Sequence, residues 1–185
     1  DSHTPTAGAL GMFAVGAGGL DVAAAMAGHS FYLKYPAILN VKLTGRLGSW
    51  VSTKDVVLNL LGTLTTKGNV GTAIEYSGEG VTTLSIEQRA TIVNMGAETG
   101  VTTSVFPSDK KTEMFLAAQG RKDAWLEMKA DDGAGYDQDM TLDLSRVVPM
   151  AARPHSPGNV APVEEIAGLK INQVIIGSCT NASFM

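Results

Sequence analysis

Thr72-Ala73-Ile74-Glu75-Tyr76, then Gly78-Glu79-Gly80, then Ser85-Ile86-Glu87-Gln88, and finally Val101-Thr102-Thr103-Ser104-Val105-Phe106 make up one strand–helix–strand unit. The first group is a short β-rich run that ends in glycines and reads as a strand and a turn. Ser85 with Gln88 three positions later is a capping box, in which hydroxyl and amide satisfy the free N–H groups of a helix start. Ala90, Ile92, Val93 and Met95 carry that helix onward. Val101–Phe106 is the next strand, closed by Pro107. A helix between two strands is the connection that parallel neighbours need.

The same alternation extends outward in both directions. Upstream, Ile38, Val41 and Leu43 mark a strand ending at Thr44-Gly45. Ser52-Thr53-Lys54-Asp55 is a capping box with Asp in place of Glu, and Val56, Val57, Leu60, Leu61 and Leu64 follow at helical spacing. Downstream, Ser108 is expected to cap a helix carrying Met114, Phe115 and Leu116 and ended by Gly120. Asp123–Met128 reads as helical, and Met140, Leu142 and Leu144 alternate with polar neighbours as a half-buried strand. The expected fold class is α/β, a mostly parallel sheet with flanking helices.

Residues 37–148 form the complete small α/β domain of this reading. Residues 1–36 are expected to be the edge of a neighbouring α/β domain, with a helix over Leu20–Ala27 stopped by Gly28. Residues 149–185 are expected to be a linker and the start of a further domain. The linker is Pro149–Pro162, with four prolines and no period, and a buried strand over Ile171–Ile176 then runs into Gly177-Ser178-Cys179-Thr180-Asn181.

Composition excludes several classes. A formal charge of −4 and a pI near 5.3 oppose a nucleic-acid or anionic-membrane partner, either of which needs a basic patch. One cysteine rules out an intramolecular disulfide framework and fits a reducing compartment, the cytoplasm or, in a eukaryote, the mitochondrial matrix. No run of residues is apolar for the length of a membrane span. The chain opens on Asp1 without a Met and stops six residues after Cys179, so it is expected to be an internal piece of a longer protein.

Three places combine a ligating or titratable group with a turn: His3 with Asp1, Glu98, and Cys179. Cys179 is either a small buried hydrophobe or a soft thiolate ligand for zinc or an iron–sulfur cluster. Glu98 follows Asn94-Met95-Gly96-Ala97 at the end of a helix, where the dipole disfavours a carboxylate. It is either a solvated end residue or the partner of a group elsewhere, such as an imidazole. His29 and His155 have no such company. Gly16-Ala17-Gly18-Gly19 is not a dinucleotide loop, because Asp21 stands where the third glycine belongs and no strand precedes it.

Asp1-Ser2-His3-Thr4-Pro5-Thr6, Val41-Lys42-Leu43-Thr44-Gly45, Ile74-Glu75-Tyr76, Asn94-Met95-Gly96-Ala97-Glu98, Thr102–Pro107 and Gly177–Asn181 follow one another in an order that resembles the aconitase family. The resemblance covers nearly the whole chain. Gly18-Gly19-Leu20-Asp21 and the Thr-Thr-Ser-Val-Phe-Pro run look like its aconitate hydratase branch, with the large subunit of 3-isopropylmalate dehydratase or homoaconitase as the alternative. A cluster-free RNA-binding or regulatory module is the alternative of another class.

The resemblance implies a [4Fe–4S] cluster held by three cysteines, with an open iron that binds the hydroxyl of a small tricarboxylic acid substrate. Cys179 matches the first of these ligands, and the other two belong to a Cys-x-x-Cys that these residues do not contain. Asp1, Ser2 and His3 match a substrate-contacting triplet, with Asp1 and His3 also in catalytic roles. Glu98 matches a catalytic carboxylate that pairs with the histidine, and Asn94 an asparagine close to the cluster. The remaining aconitase domains would complete the site, so neither cluster nor hydratase activity is expected of these residues alone.

Overall fold

A computed structural model of the chain describes residues 1–177 and residue 180. At its centre is a four-stranded, all-parallel sheet built from β1 (Ala37–Thr44), β2 (Thr72–Ser77), β3 (Thr103–Val105) and β4 (Gln138–Asp143), in the order β3-β2-β1-β4. Period-2 alternation assigns the faces. Leu39, Val41 and Leu43 of β1 are buried, and their register with Ile74 and Tyr76 of β2 and with Met140 and Leu142 of β4 aligns apolar rows. Helices α2 (Thr53–Leu64) and α3 (Ile86–Gly96) cross from β1 to β2 and from β2 to β3 and pack against each other on that face. Val56, Val57, Leu60, Leu61, Ile92 and Val93 fill the space between helices and sheet. Each such burial contributes about 1.5–3 kcal/mol.

Both capping boxes form. Ser52 N–H donates to Asp55 Oδ2 at 2.7 Å, and Ser85 and Gln88 exchange bonds of 2.8 and 3.3 Å. Helix α4 (Lys110–Ala118) is capped one residue later than expected, by Asp109, whose carboxylate accepts from the Lys111 and Thr112 amides.

The opposite face of the sheet is polar. Ser77 Oγ donates to Asn40 Oδ1 at 2.6 Å, Asn40 Nδ2 to Asp139 Oδ1 at 2.8 Å, and Tyr136 Oη to Glu75 Oε1 at 3.2 Å. The chain between α4 and β4 travels from one edge of the sheet to the other, and Tyr136 ties its end to β2 on the way.

Three segments differ from the sequence reading. Asp123–Met128 is not a helix. A single 3-10 turn spans Lys122–Ala124, and Met128 then exchanges backbone bonds of 2.8 and 3.1 Å with Ser108, which uses the peptide groups a helix would have needed. Instead of an aperiodic linker, Pro149–Pro162 contains a hairpin of β5 (Met150–Ala152) and β6 (Val160–Pro162) packed on α2. Its prolines lie at the ends and in the turn, where no ladder N–H is required, and Met150 N–H donates to the buried Asp55 at 2.7 Å. Residues 171–176 form no strand, and Val174, Ile175 and Ile176 are exposed; no described strand lies beside them to share a ladder. The N-terminal segment enters a 3-10 helix over Thr4–Leu10 with Pro5 near its start, where a missing N–H costs nothing.

That 3-10 helix lies against α3 and β3, and Phe106 N–H donates to the Gly8 carbonyl at 2.9 Å. A Cβ on Gly8 would stand 2.0 Å from the Ser104 carbonyl oxygen, so only glycine allows this approach. The expected helix after it, α1 (Gly19–Met26), is present but buries none of its residues. Leu20, Met26, Tyr32 and Tyr35 are all more than four-fifths exposed.

Candidate active site

The C-terminal end of α3 is where the chain gathers its candidate groups. Ala97–Thr99 continue α3 as a 3-10 turn that ends at Gly100, and Glu98 projects from that turn into solvent. The turn is held from two sides. Thr99 Oγ1 donates to the Gly96 carbonyl at 2.7 Å, and Asn69 Nδ2 donates to the Thr99 carbonyl at 2.8 Å and to the Leu64 carbonyl at 3.0 Å. Asn69 thereby fixes the turn bearing Glu98 to the end of α2.

The Asp1-Ser2-His3 segment reaches the same place because the 3-10 helix after it packs on α3. Asp1 Oδ1 accepts the His3 N–H at 2.8 Å and lies 3.7 Å from His3 Nδ1. Both side chains are exposed, so the pair is screened and contributes little to stability. Asn94, two residues before the end of α3, bridges two segments distant in sequence. Its Nδ2 donates to Thr6 Oγ1 at 2.7 Å, and its Oδ1 accepts from Thr180 Oγ1 at 2.6 Å. Thr91 Oγ1 adds a bond of 3.2 Å to the Thr180 carbonyl.

Ser2, His3, Asn94, Glu98 and Thr180 line one open cavity of about 760 Å³. His3 and Glu98 thus share a site, although no ion pair within 4 Å joins them among the described residues. Lys54 lines the far end of the same groove. It begins the helix whose other end meets Thr99, and ten residues of rise separate the two ends by ~15 Å.

Cys179 lies outside the described residues. Among the described residues, no three His, Cys, Asp or Glu side chains come close enough to hold a metal ion. The chain has a single cysteine, so its own donors do not complete an iron–sulfur ligand set. The carboxylate, imidazole, hydroxyl and amide that it does assemble can bind and orient a polar anion and exchange a proton with it.

Sequence reasoning located His3, Asn94 and Glu98 but not Thr6, Thr91, Thr180 or Asn69. Thr6 and Thr180 lie inside the motifs already singled out, and their hydroxyls were the available signal.

The fold and this cluster define an α/β unit that presents polar groups from three separate segments at one helix end. Its sequence matches, over residues 1–169, the profile described as Aconitase family (aconitate hydratase), and the chain belongs to that family. It is 46% identical over 181 residues to the 3-isopropylmalate dehydratase large subunit of Nitratidesulfovibrio vulgaris, covering 98% of this chain and 43% of that protein. It is 43% identical over 203 positions to the mitochondrial aconitate hydratase of Saccharomyces cerevisiae, covering all of this chain and 26% of that protein. With the mitochondrial homocitrate dehydratase of the same yeast it shares 42% over 202 positions, again all of this chain and 26% of the relative. The chain therefore spans less than half the length of these relatives. Among the described residues, no helix is long and apolar enough to cross a membrane.

Proposed function

We propose that the chain is part of a longer hydro-lyase that interconverts citrate and isocitrate through their shared unsaturated acid. The observation that carries this reading is the meeting of His3, Ser2, Asn94 and Glu98 around one cavity, in a chain whose family profile is described as aconitate hydratase. In this reading Ser2 and the local backbone N–H groups orient a substrate carboxylate. His3 supplies the proton that leaves with the hydroxyl, the Asp1 carboxylate orients its imidazole, and Glu98 faces the same cavity. A [4Fe–4S] cluster would be held by Cys179 together with cysteines outside this chain, and when bound it would supply Lewis acidity toward the substrate hydroxyl. The exposed apolar side chains of residues 20–35 and 174–176 support packing against further domains of the same protein.

One observation favours a second substrate, 3-isopropylmalate. The alignment to the dehydratase large subunit runs 181 positions over 98% of the chain, whereas that to the yeast aconitate hydratase needs 203 positions for 185 residues and so opens gaps in this chain. The test is an anaerobic assay of the full-length parent protein with citrate, isocitrate, homocitrate and 3-isopropylmalate. Isomerisation of citrate with the highest kcat/KM, lowered by about 10²-fold or more in His3→Ala, is expected. Turnover of none of the four acids, or full activity in His3→Ala, would refute the proposal.

A further inference from the structure

We propose that Thr6, Asn94 and Thr180 form a positioning relay that fixes His3 relative to Thr180. Counting donors sets the direction of the bonds. The Thr6 hydroxyl has one proton and donates it to the His3 carbonyl at 2.6 Å, so toward Asn94 it can only accept. Asn94 therefore presents its NH2 group to Thr6, at 2.7 Å, which turns its carbonyl oxygen to the Thr180 hydroxyl at 2.6 Å. With the amide turned over, the Thr6–His3 bond would be lost. The result is an unbroken chain: Thr180 donates to Asn94, Asn94 to Thr6, and Thr6 to the backbone of His3.

Thr91 Oγ1 stands 3.2 Å from both the Thr180 and the Glu87 carbonyls and shares its one proton between them, a weaker second hold on the same end. The bonds that Asn94 makes and the Thr91–Thr180 bond are partly buried, so water competes poorly for them. Thr180 follows Cys179 directly in the sequence, so the thiol is a reporter one residue from the relay. Thr6 and Thr180 are positioning residues in this scheme and need not touch substrate. The catalytic meaning of the relay rests on the function proposed above, because only there do His3 and Cys179 serve one site. The relay itself does not depend on that function.

Because Cys179 is the sole cysteine, its alkylation by iodoacetamide in the 185-residue chain reads the restraint directly. Labelling is followed well below the melting temperature of each variant, so that acceleration reports local release and not global unfolding. Thr180→Val, which keeps the shape and removes the hydroxyl, is expected to speed labelling about tenfold. Thr180→Ser, which restores the hydroxyl, should return the rate to within about twofold of the parent chain. Thr6→Val, which removes the acceptor of the Asn94 amide, should also accelerate it. Equal rates in all chains, or a Thr180→Ser rate as fast as Thr180→Val, would overturn the relay. If the labelling order holds while the full-length protein turns over none of the four acids, the relay stands and the functional reading falls. Turnover with an unchanged labelling rate means the reverse.

Discussion

Replacing Asp109 by Ala removes two supports at once, and the structure lets the loss be worked out. Arg89 is fully buried, and its guanidinium donates to Asp109 through two bonds of 3.1 and 2.6 Å. Its remaining acceptors are the Pro107 and Val81 carbonyls, at 3.3 and 3.1 Å, and the Phe106 ring lies beneath it at 5.7 Å. Breaking a buried ion pair by removing one partner costs about 3–5 kcal/mol. The lower end applies here, because the Asp109 side chain is 27% exposed and Arg89 keeps two carbonyls. Loss of the α4 cap adds about 1 kcal/mol, so Asp109→Ala should cost about 4 kcal/mol. For a chain of this size that lowers the melting temperature by about 8–16 °C. Asp109→Asn keeps the cap and a neutral acceptor and should cost about half as much.

The charge has a pH signature. Partial burial pushes the Asp109 carboxyl upward, but the hydrogen bonds and charge of Arg89, with the Thr112 and Lys111 amides, outweigh it and hold the carboxyl below its ordinary range. A carboxylate depressed in the folded state contributes fully above its unfolded pKa, about 3.9, and loses that contribution as pH falls through the lower folded value. The difference between wild type and Asp109→Asn should therefore be constant near neutrality and shrink in acid below about pH 4. Urea melts followed by circular dichroism across pH provide the assay. A loss below about 1 kcal/mol for Asp109→Ala at neutral pH would refute the idea that Arg89 depends on this partner.

Two further outcomes follow from the geometry. Gly8→Ala places a methyl against the Ser104 carbonyl and should loosen the first 3-10 helix by about 1–3 kcal/mol; hydrogen exchange at the Phe106 amide, which donates to Gly8, should speed at least several-fold, and an unchanged rate would contradict the packing. Anaerobic treatment of the 185-residue chain with iron and sulfide should yield no stable four-iron absorbance, since one thiolate cannot hold the cluster, and a persistent charge-transfer band would refute this.

What could be read from the sequence was local. Ser52 with Asp55 and Ser85 with Gln88 announce helix starts within four residues, and the apolar spacing after each one names the buried face. The strand around Val41 and that around Ile74 were legible for the same reason. The hairpin of β5 and β6 was not, because its four prolines resemble a linker until α2 is present to receive it. Ile171–Ile176 misled in the opposite sense: β-branched residues favour a strand, but a strand also needs a neighbour. Within the site, His3, Asn94 and Glu98 were found through their motifs. The bonds that join them were not, since Asn94 meets Thr6 and Thr180 across separations of 88 and 86 residues, which no periodicity encodes.

The strand order carries a consequence for how the protein comes to be folded. β1 is made first yet ends up in the interior of the sheet, with β2 on one side and β4 on the other. β2 follows it closely, but Leu39 meets Gln138 only across almost a hundred residues of chain. During synthesis from the N-terminus, the second edge of β1 is therefore bare until nearly the whole domain has left the ribosome. An unpaired edge is a template for wrong partners, and closure over so long a loop is slow. Lys42, exposed on β1, is a guard of the kind that discourages such pairing during that interval. The last strand to arrive is thus the one that covers the open side of β1.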